Sequence, residues 1–125
     1  MNSKVLVIDD SGLVRKHMRR ILNGAGYNVV EAHDGIAALE TYFSEKPDVV
    51  LLDLVMSGMY GLDVLKKLRE LDANARVVVV SADIQTPSRD LARDLGALAF
   101  LNKPADDADV LGAVAAALAG GRRWN

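Results

Sequence analysis

The 125-residue sequence contains no cysteine, and it also lacks a long apolar run and an excess of basic residues. Without cysteine, a disulfide framework, a thiolate metal site and a cysteine nucleophile are all excluded. No apolar run approaches the roughly 20 residues that a membrane-spanning helix needs, and the first residues do not have the layout of a signal peptide. Because 15 Lys and Arg face 17 Asp and Glu, bulk charge does not favour nucleic-acid binding. We therefore predict a cytoplasmic globular protein that binds neither membranes nor nucleic acid.

The most informative stretch is a short aliphatic run at residues 48–54, which carries an acid, Asp53, near its end. A run of this length without alternation is typical of a strand buried on both faces, as in a parallel sheet. A short buried helix would have the same composition, but Pro47 before the run and Gly58 and Gly61 after it favour a strand. An aspartate at the carboxyl end of such a strand lies at the rim where open α/β sheets bind their ligands.

Strand and helix patterns alternate along the rest of the chain. Aliphatic runs predict strands at residues 5–8, 27–32, 48–54, 77–80 and 97–101, and apolar residues at helical spacing predict a helix after each of them. Five such repeats imply an α/β fold with a five-stranded parallel, doubly wound sheet and helices on both faces. We predict one domain over residues 1–120, a loose tail at 121–125 and no output domain.

Some local features are predicted more closely. Ser11 is expected to cap the first helix, and Thr86 and Pro87 are expected to be the N-cap and first position of the fourth helix. The apolar side of the second helix is predicted to consist of Ala38, Leu39, Tyr42 and Phe43.

Polar groups follow four of the five predicted strands: Asp9 and Asp10 after the first, Asp53 after the third, Ser81 after the fourth and Lys103 after the fifth. In a doubly wound sheet these strand ends share one rim. Carboxylates held together repel one another and stay ionised at neutral pH only beside a cation. Oxygen ligands without His or Cys suit a hard cation such as Mg²⁺.

The same groups suit phosphoryl transfer. Aspartate is a nucleophile that forms acyl phosphates, and a metal ion with Lys103 would neutralise an incoming phosphoryl group. A single aspartate at a strand end is more often a helix cap or a solvated loop residue. The functional interpretation depends on four strands delivering polar groups to one edge.

With these motifs the sequence resembles a response-regulator receiver domain, in particular the single-domain chemotaxis (CheY-like) type. The resemblance covers nearly the whole chain, and its motifs are VIDD at 7–10, LLDLVM at 51–56, VSA at 80–82 and NKP at 102–104. It implies a flavodoxin-like fold with strand order 2-1-3-4-5. It also implies a phosphorylation-activated regulator of a two-component system or phosphorelay, which is not an enzyme but assists its own Mg²⁺-dependent phosphorylation and dephosphorylation.

The resemblance assigns the metal site residue by residue. It makes Asp53 the phosphoacceptor, and Asp10 and Asp53 direct ligands of Mg²⁺. The backbone carbonyl of Val55 would be a further ligand, and Asp9 would act through water.

The resemblance also assigns the phosphoryl-binding and switch residues. Lys103 and Ser81 would bind the phosphoryl group, Ser81 and Phe100 would form the switch, and the Lys103–Pro104 peptide bond would be cis. Phosphorylation would draw Ser81 towards the phosphoryl group and let Phe100 turn inward. That movement would remodel a surface of three predicted elements, residues 87–95, 98–101 and 107–118.

The partners implied are a sensor histidine kinase or phosphotransfer protein that donates the phosphoryl group, and a downstream target protein. In this family a basic cluster on the first helix lies near the kinase docking surface, although a solvated helix face also explains the cluster, which consists of Arg15, Lys16, Arg19 and Arg20.

Two alternative functions remain open. A Mg²⁺-dependent aspartyl-phosphate phosphatase of the haloacid-dehalogenase kind would require a second acid where this chain has Val55. A degenerate receiver acting only as a docking module would not need the intact set of acids, Ser81 and Lys103.

Overall fold

The computed structural model describes residues 2–56, 58–83 and 85–121, and these residues form five strands that alternate with five helices. The strands are β1 (Lys4–Ile8), β2 (Asn28–Ala32), β3 (Val49–Leu52), β4 (Val77–Ser81) and β5 (Ala99–Asn102). The helices are α1 (Gly12–Gly24), α2 (Gly35–Glu45), α3 (Gly61–Leu71), α4 (Thr86–Asp94) and α5 (Asp107–Leu118). All but Gly121 of the predicted tail lies outside the described residues.

The strands form one parallel sheet in the order β2-β1-β3-β4-β5, which confirms the predicted fold. Non-consecutive strands become neighbours because each connection crosses over through a helix. Within the described ranges, none of the helices combines the length and the apolar character that crossing a bilayer requires.

Alternation of side chains along each strand divides the core into two layers. Val49 and Leu51 of β3 pack with residues of α1 and α5 on one face. Val50 and Leu52 pack on the other face with residues of α2, α3 and α4. Both faces of β3 are therefore buried under helices, which explains why this strand is continuously apolar. Burying an aliphatic side chain of this kind completely, instead of leaving it exposed to water, stabilises the fold by about 1.5–3 kcal/mol.

The ends of α1 and α4 are set in different ways. The Ser11 hydroxyl accepts a hydrogen bond from the Val14 amide, which confirms it as the cap of α1. The predicted cap at Thr86 is wrong by one residue, because α4 begins at Thr86 itself and Gln85 precedes it without a side-chain cap bond. The carboxylate of Asp83 accepts a hydrogen bond from the Gln85 amide and so fixes the chain just before the helix.

The prediction that Phe43 belongs to the apolar side of α2 is also wrong. Its side chain is 46% exposed, and its ring packs edge-on against Tyr42 with centroids 5.2 Å apart. Consecutive helical residues point about 100° apart, so Tyr42 and Phe43 cannot both face the sheet. Tyr42 takes the inward position, one turn after the buried Ala38, and its hydroxyl donates a 2.6 Å hydrogen bond to Asp72.

Candidate functional site

Three of the predicted polar residues occupy equivalent places in the sheet. Asp9, Asp53 and Lys103 are each the first residue beyond their strand, after β1, β3 and β5 respectively. Side chains alternate along a strand, so the three residues fall on the same face as the residues two positions earlier, Val7, Leu51 and Leu101, which face α1 and α5. The pleat therefore directs two acids and a lysine to the same side of the same rim.

The side chains meet there as a bridged cluster. The Lys103 ammonium lies 2.5 Å from Asp9 Oδ2 and 3.3 Å from Asp53 Oδ2. Asp9 is only 3% exposed, and its other carboxylate oxygen accepts a hydrogen bond from the Ser11 amide. A buried carboxylate is costly unless it is paired, and Lys103 supplies the pairing charge.

Lys103 stays charged in this position. Burial alone would lower the pKa of its ammonium group, but the hydrogen bond with Asp9 and the nearby charge of Asp53 outweigh burial and raise the pKa above its ordinary value. The lysine is therefore a cation at neutral pH, placed between the two carboxylates.

The balance is opposite at Asp53. Burial raises the pKa of this carboxyl above its ordinary value, and the charge of Lys103 and a hydrogen bond from the Val55 amide lower it only in part. The charged form of Asp53 is thus held at a cost in folding free energy, which a counter-charge at the site would relieve.

Replacing Asp53 with Asn is expected to raise the free energy of unfolding at neutral pH by about 1 kcal/mol, because the substitution removes the buried charge and keeps the side-chain shape. A carboxyl whose pKa is raised by folding costs stability above that pKa, and the cost vanishes as falling pH protonates it. The advantage of Asp53→Asn should therefore shrink towards the ordinary pKa near 3.8.

Urea denaturation at neutral pH and at about pH 4.5 measures this difference. The matched control is Asp94→Asn at the end of α4, where the acid is exposed and the change should stay within about 0.5 kcal/mol. A less stable Asp53→Asn protein at neutral pH would mean that Lys103 more than compensates for the burial of Asp53.

Asp10 joins the cluster from its solvent side. One carboxylate oxygen each from Asp9, Asp10 and Asp53 lies within 4.8 Å of the other two. Asp9 and Asp53 are buried whereas Asp10 is exposed. This set consists only of oxygen donors and opens to water on one side, which fits a hard, partly hydrated ion such as Mg²⁺.

Val55 lies beside these acids in the loop that follows β3. Its amide donates a 3.2 Å hydrogen bond to Asp53 Oδ1, and its side chain is exposed. This contact fixes the loop directly against Asp53.

Ser81 ends β4, the strand next to β3, and is completely buried. Its hydroxyl oxygen accepts a 3.2 Å hydrogen bond from the Asp83 amide. A hydroxyl that accepts in this way still has its proton to donate. The Asp83 carboxylate in turn accepts hydrogen bonds from the hydroxyls of Ser88 and Tyr60.

Phe100 lies on the face of the sheet that α2, α3 and α4 cover. Its ring is 8% exposed and packs in the same core layer as Val79, its register partner on β4. Ser81 is two residues beyond Val79, so by alternation Ser81 and Phe100 are diagonal neighbours on one face. Phe100 is thus already buried in this structure, and its role as a switch residue stays a prediction.

The segment after β5 completes the rim. The Lys103–Pro104 peptide bond is cis, as the family resemblance implies. Pro104 and Ala105 form one wall of a groove of about 1100 Å³, and α1 forms the opposite wall with Leu13 and His17. Lys103 itself contributes to the lining, so the groove leads to the acid cluster.

The basic residues of α1 do not form one uniform face. The side chains of Arg15 and Arg19 both bind Glu31 on β2, with Nε to oxygen distances of 3.1 and 2.7 Å. Lys16 and Arg20 line the groove instead, and so does part of Arg19.

Sequence reasoning missed two contacts at the site. Arg15 Nη1 donates a 2.6 Å hydrogen bond to the backbone carbonyl of Asp9, and Asp83 links Ser81 to the start of α4. An aspartate two residues before Gln85 is a recognisable signal for a side-chain turn. The Arg15 contact has no local signal, because it depends on the packing of α1 beside β1 and β2.

Comparisons with known proteins point to one family. A family model of the response regulator receiver domain matches residues 5–115. The chain is 35% identical over 114 residues to sporulation initiation phosphotransferase F of Bacillus subtilis, with 91% of this chain and 92% of the relative covered. It is 38% identical over 105 residues to chemotaxis protein CheY of Thermotoga maritima, with 83% and 88% covered. Some other curated relatives are longer, and the chain covers 45% of their length.

Solved structures give the same picture. The crystal structure of the CheX-CheY-BeF3-Mg²⁺ complex from Borrelia burgdorferi includes a chain that is 35% identical, with a TM-score of 0.86. The superposition covers 90% of this chain and 86% of that one.

Proposed function

Since this chain belongs to the response regulator receiver domain family, we propose that it is a phosphorylation-controlled switch that accepts a phosphoryl group on Asp53 with the help of Mg²⁺. The observation that carries the proposal is the cluster of Asp9, Asp10 and Asp53, whose oxygens lie within 4.8 Å of one another, with Lys103 bridging two of them. A structural ion pair needs one acid and one base, whereas three clustered acids suit a site completed by a further cation.

The chemistry is a displacement at phosphorus. An oxygen of the Asp53 carboxylate forms a bond to phosphorus while the bond from phosphorus to the donor, such as a phosphohistidine nitrogen, breaks. The leaving imidazole takes up a proton, and Asp53 becomes an acyl phosphate. The Lys103 ammonium is positioned beside Asp53 to neutralise the phosphoryl oxygens, and the free proton of the Ser81 hydroxyl is available for one of them.

Asp10, Asp53 and the Val55 carbonyl would hold Mg²⁺ directly, with Asp9 acting through water. When bound, the ion supplies positive charge to the transferring phosphoryl group. The similar CheY of Borrelia burgdorferi forms a complex that contains both BeF3 and Mg²⁺, which supports the assignment. The buried ion pair of Asp9 with Lys103 also fits an indirect role for Asp9, because one of its oxygens already has a cationic partner.

Receiver domains of this family act with histidine kinases or phosphotransfer proteins, and we place the donor over the groove between α1 and the segment after β5. The groove is continuous with Lys103 and is lined by exposed Leu13 together with Pro104. A donor seated there would bring its phosphohistidine directly to the acid cluster. The cations Lys16 and Arg20 at its edge favour an acidic partner surface.

The output surface would be the one built from α4, β5 and α5. Ser81 and Phe100 are diagonal neighbours on β4 and β5, and Ser81 is linked through Asp83 to the amino end of α4. A phosphoryl oxygen that competes for Ser81 would therefore act on α4 and on the packing of Phe100. A downstream target protein would recognise the result.

Incubation with a small acyl phosphate donor and Mg²⁺ tests the proposal by intact-protein mass spectrometry. We expect one phosphoryl adduct per chain that requires Mg²⁺ and is absent in Asp53→Asn. The control is Asp48→Asn, which should label like the wild type. Asp48 directly precedes β3, at the opposite end of the strand from Asp53, and its carboxylate accepts a hydrogen bond from the Lys4 amide. Continuous turnover of the donor without an adduct would indicate a phosphatase, and no reaction at all would indicate a docking module.

A further inference from the structure

We propose that Arg15 is a positioning residue for the metal site, which holds the peptide between Asp9 and Asp10 so that the Asp10 carboxylate faces the ion. The inference rests on the proposed Mg²⁺ site and adds Arg15 and its partner Glu31 to the groups on which that site depends. Neither residue would touch the metal or the phosphoryl group.

The contacts show how this positioning works. Arg15 lies in the first turns of α1, and its Nη1 donates a 2.6 Å hydrogen bond back to the carbonyl oxygen of Asp9. That carbonyl belongs to the peptide unit that joins Asp9 to Asp10. Its orientation therefore sets the direction in which the Asp10 side chain leaves the backbone.

The contact begins where the sheet ends. The last hydrogen bond between β1 and β2 at this rim runs from the Asp9 amide to the Ala32 carbonyl, at 3.2 Å. The carboxylate of Asp9 accepts a hydrogen bond from the Ser11 amide on one oxygen and from the Lys103 ammonium on the other. Arg15 holds the remaining polar atom of Asp9, so the residue is fixed on all sides while Asp10 is exposed to solvent.

Glu31 fixes Arg15 in turn. Its carboxylate on β2 binds Arg15 Nε at 3.1 Å through one oxygen and Arg19 Nε at 2.7 Å through the other. Glu31 pairs in register with Val7 on β1, two residues before Asp9. The Arg15 guanidinium thus connects α1 to two strands. Its Nε binds Glu31 of β2, and its Nη1 binds the carbonyl of Asp9 just beyond β1.

An arginine is required for this bridge. Its planar group offers donors in fixed directions, whereas a lysine ammonium is a single point charge on a flexible stem. Arg15→Lys keeps the net charge of the site but cannot hold Glu31 and the Asp9 carbonyl with the same geometry. Glu31→Asp likewise keeps the charge and shortens the reach, so both variants separate positioning from long-range electrostatics.

The test measures Mg²⁺ affinity by amide chemical shifts, and labelling by a small acyl phosphate as a function of Mg²⁺ concentration. Removal of outer-shell partners in metal sites weakens affinity about 10- to 100-fold, and since Arg15 acts through the backbone we expect about 3- to 10-fold for Arg15→Lys. The half-saturating Mg²⁺ concentration should rise by the same factor, while the labelling rate at saturating Mg²⁺ stays near that of the wild type. Glu31→Asp should also raise the half-saturating Mg²⁺ concentration.

Arg76→Lys is the matched control, since Arg76 directly precedes β4, at the opposite end of that strand from Ser81. It should leave the Mg²⁺ affinity unchanged. Thermal denaturation of each variant separates loss of fold from loss of position, and if Arg15→Lys unfolds, the result for Glu31→Asp decides.

Wild-type Mg²⁺ affinity in both Arg15→Lys and Glu31→Asp would overturn the positioning role and leave the metal site intact. An equal loss in Arg76→Lys would overturn it as well. A wild-type protein that binds no Mg²⁺ would instead refute the proposed function, and the role of Arg15 with it. The wild-type titration therefore distinguishes the two failures.

Discussion

Asp10→Ala should abolish Mg²⁺-dependent labelling of Asp53 and weaken Mg²⁺ binding by more than about 100-fold, because the loss of a proposed direct ligand should exceed the 10- to 100-fold cost of outer-shell changes. The fold should tolerate the substitution. Asp10 is exposed, and the buried ion pair between Asp9 and Lys103 does not depend on it. Isothermal titration with Mg²⁺ and mass spectrometry after acyl phosphate treatment measure the two effects.

Asp9→Ala provides an informative comparison, because the two neighbouring acids have different surroundings. Loss of the Asp9 carboxylate leaves Lys103 with one carboxylate partner instead of two and removes the acceptor of the Ser11 amide. We expect this variant to lose more stability than Asp10→Ala and less Mg²⁺ affinity. Labelling of Asp10→Ala at the wild-type rate would show that the metal site lies elsewhere.

The fold and the position of the acids could be predicted from the sequence because both follow from short-range patterns. Asp53 comes directly after a buried apolar run, and the alternation of strands and helices places the ends of all strands at one rim. Asp9 and Lys103 follow by the same rule on β1 and β5. The structure brings these three side chains into direct contact, as expected for first residues beyond parallel strands.

Features that depend on competition between neighbours could not be predicted in this way. Tyr42 and Phe43 are both aromatic and adjacent, yet Tyr42 faces inward and bonds Asp72 at the end of α3, whereas Phe43 is exposed. Similarly, the basic residues of α1 look alike in sequence. Arg15 binds Glu31 and the Asp9 carbonyl, whereas Arg20 contacts His17, because the packing of α1 beside β2 sets their surroundings.

The close approach of two backbone segments cannot be predicted from the sequence either. The example nearest the site is Gly61. Gly61 begins α3, and its amide donates a 2.9 Å hydrogen bond to the Leu54 carbonyl, which closes the loop after β3. A Cβ atom at position 61 would lie 2.4 Å from both the Asp53 carbonyl oxygen and the Leu54 Cα. Both are backbone atoms, so no side-chain rotation relieves the overlap.

Gly61→Ala should therefore lower the free energy of unfolding by about 2–3 kcal/mol, in the range of overpacked core positions. A loss of this size corresponds to a decrease in Tm of about 8–15 °C for a domain of this length. The relief of the overlap must also move the peptide between Asp53 and Leu54, so we expect slower labelling of Asp53 in whatever fraction remains folded. Thermal denaturation and acyl phosphate labelling below the transition measure the two effects.

Gly24→Ala is the matched control, because Gly24 ends α1 and a Cβ atom there meets nothing within 4 Å. The same substitution at this open position should be neutral or stabilising by up to about 1 kcal/mol, since alanine restricts the unfolded chain. If Gly61→Ala were as stable as Gly24→Ala and labelled normally, the loop after β3 would have to relax without moving Asp53. The close contact of Gly61 would then not be what fixes Asp53, the proposed phosphoacceptor, at the end of its strand.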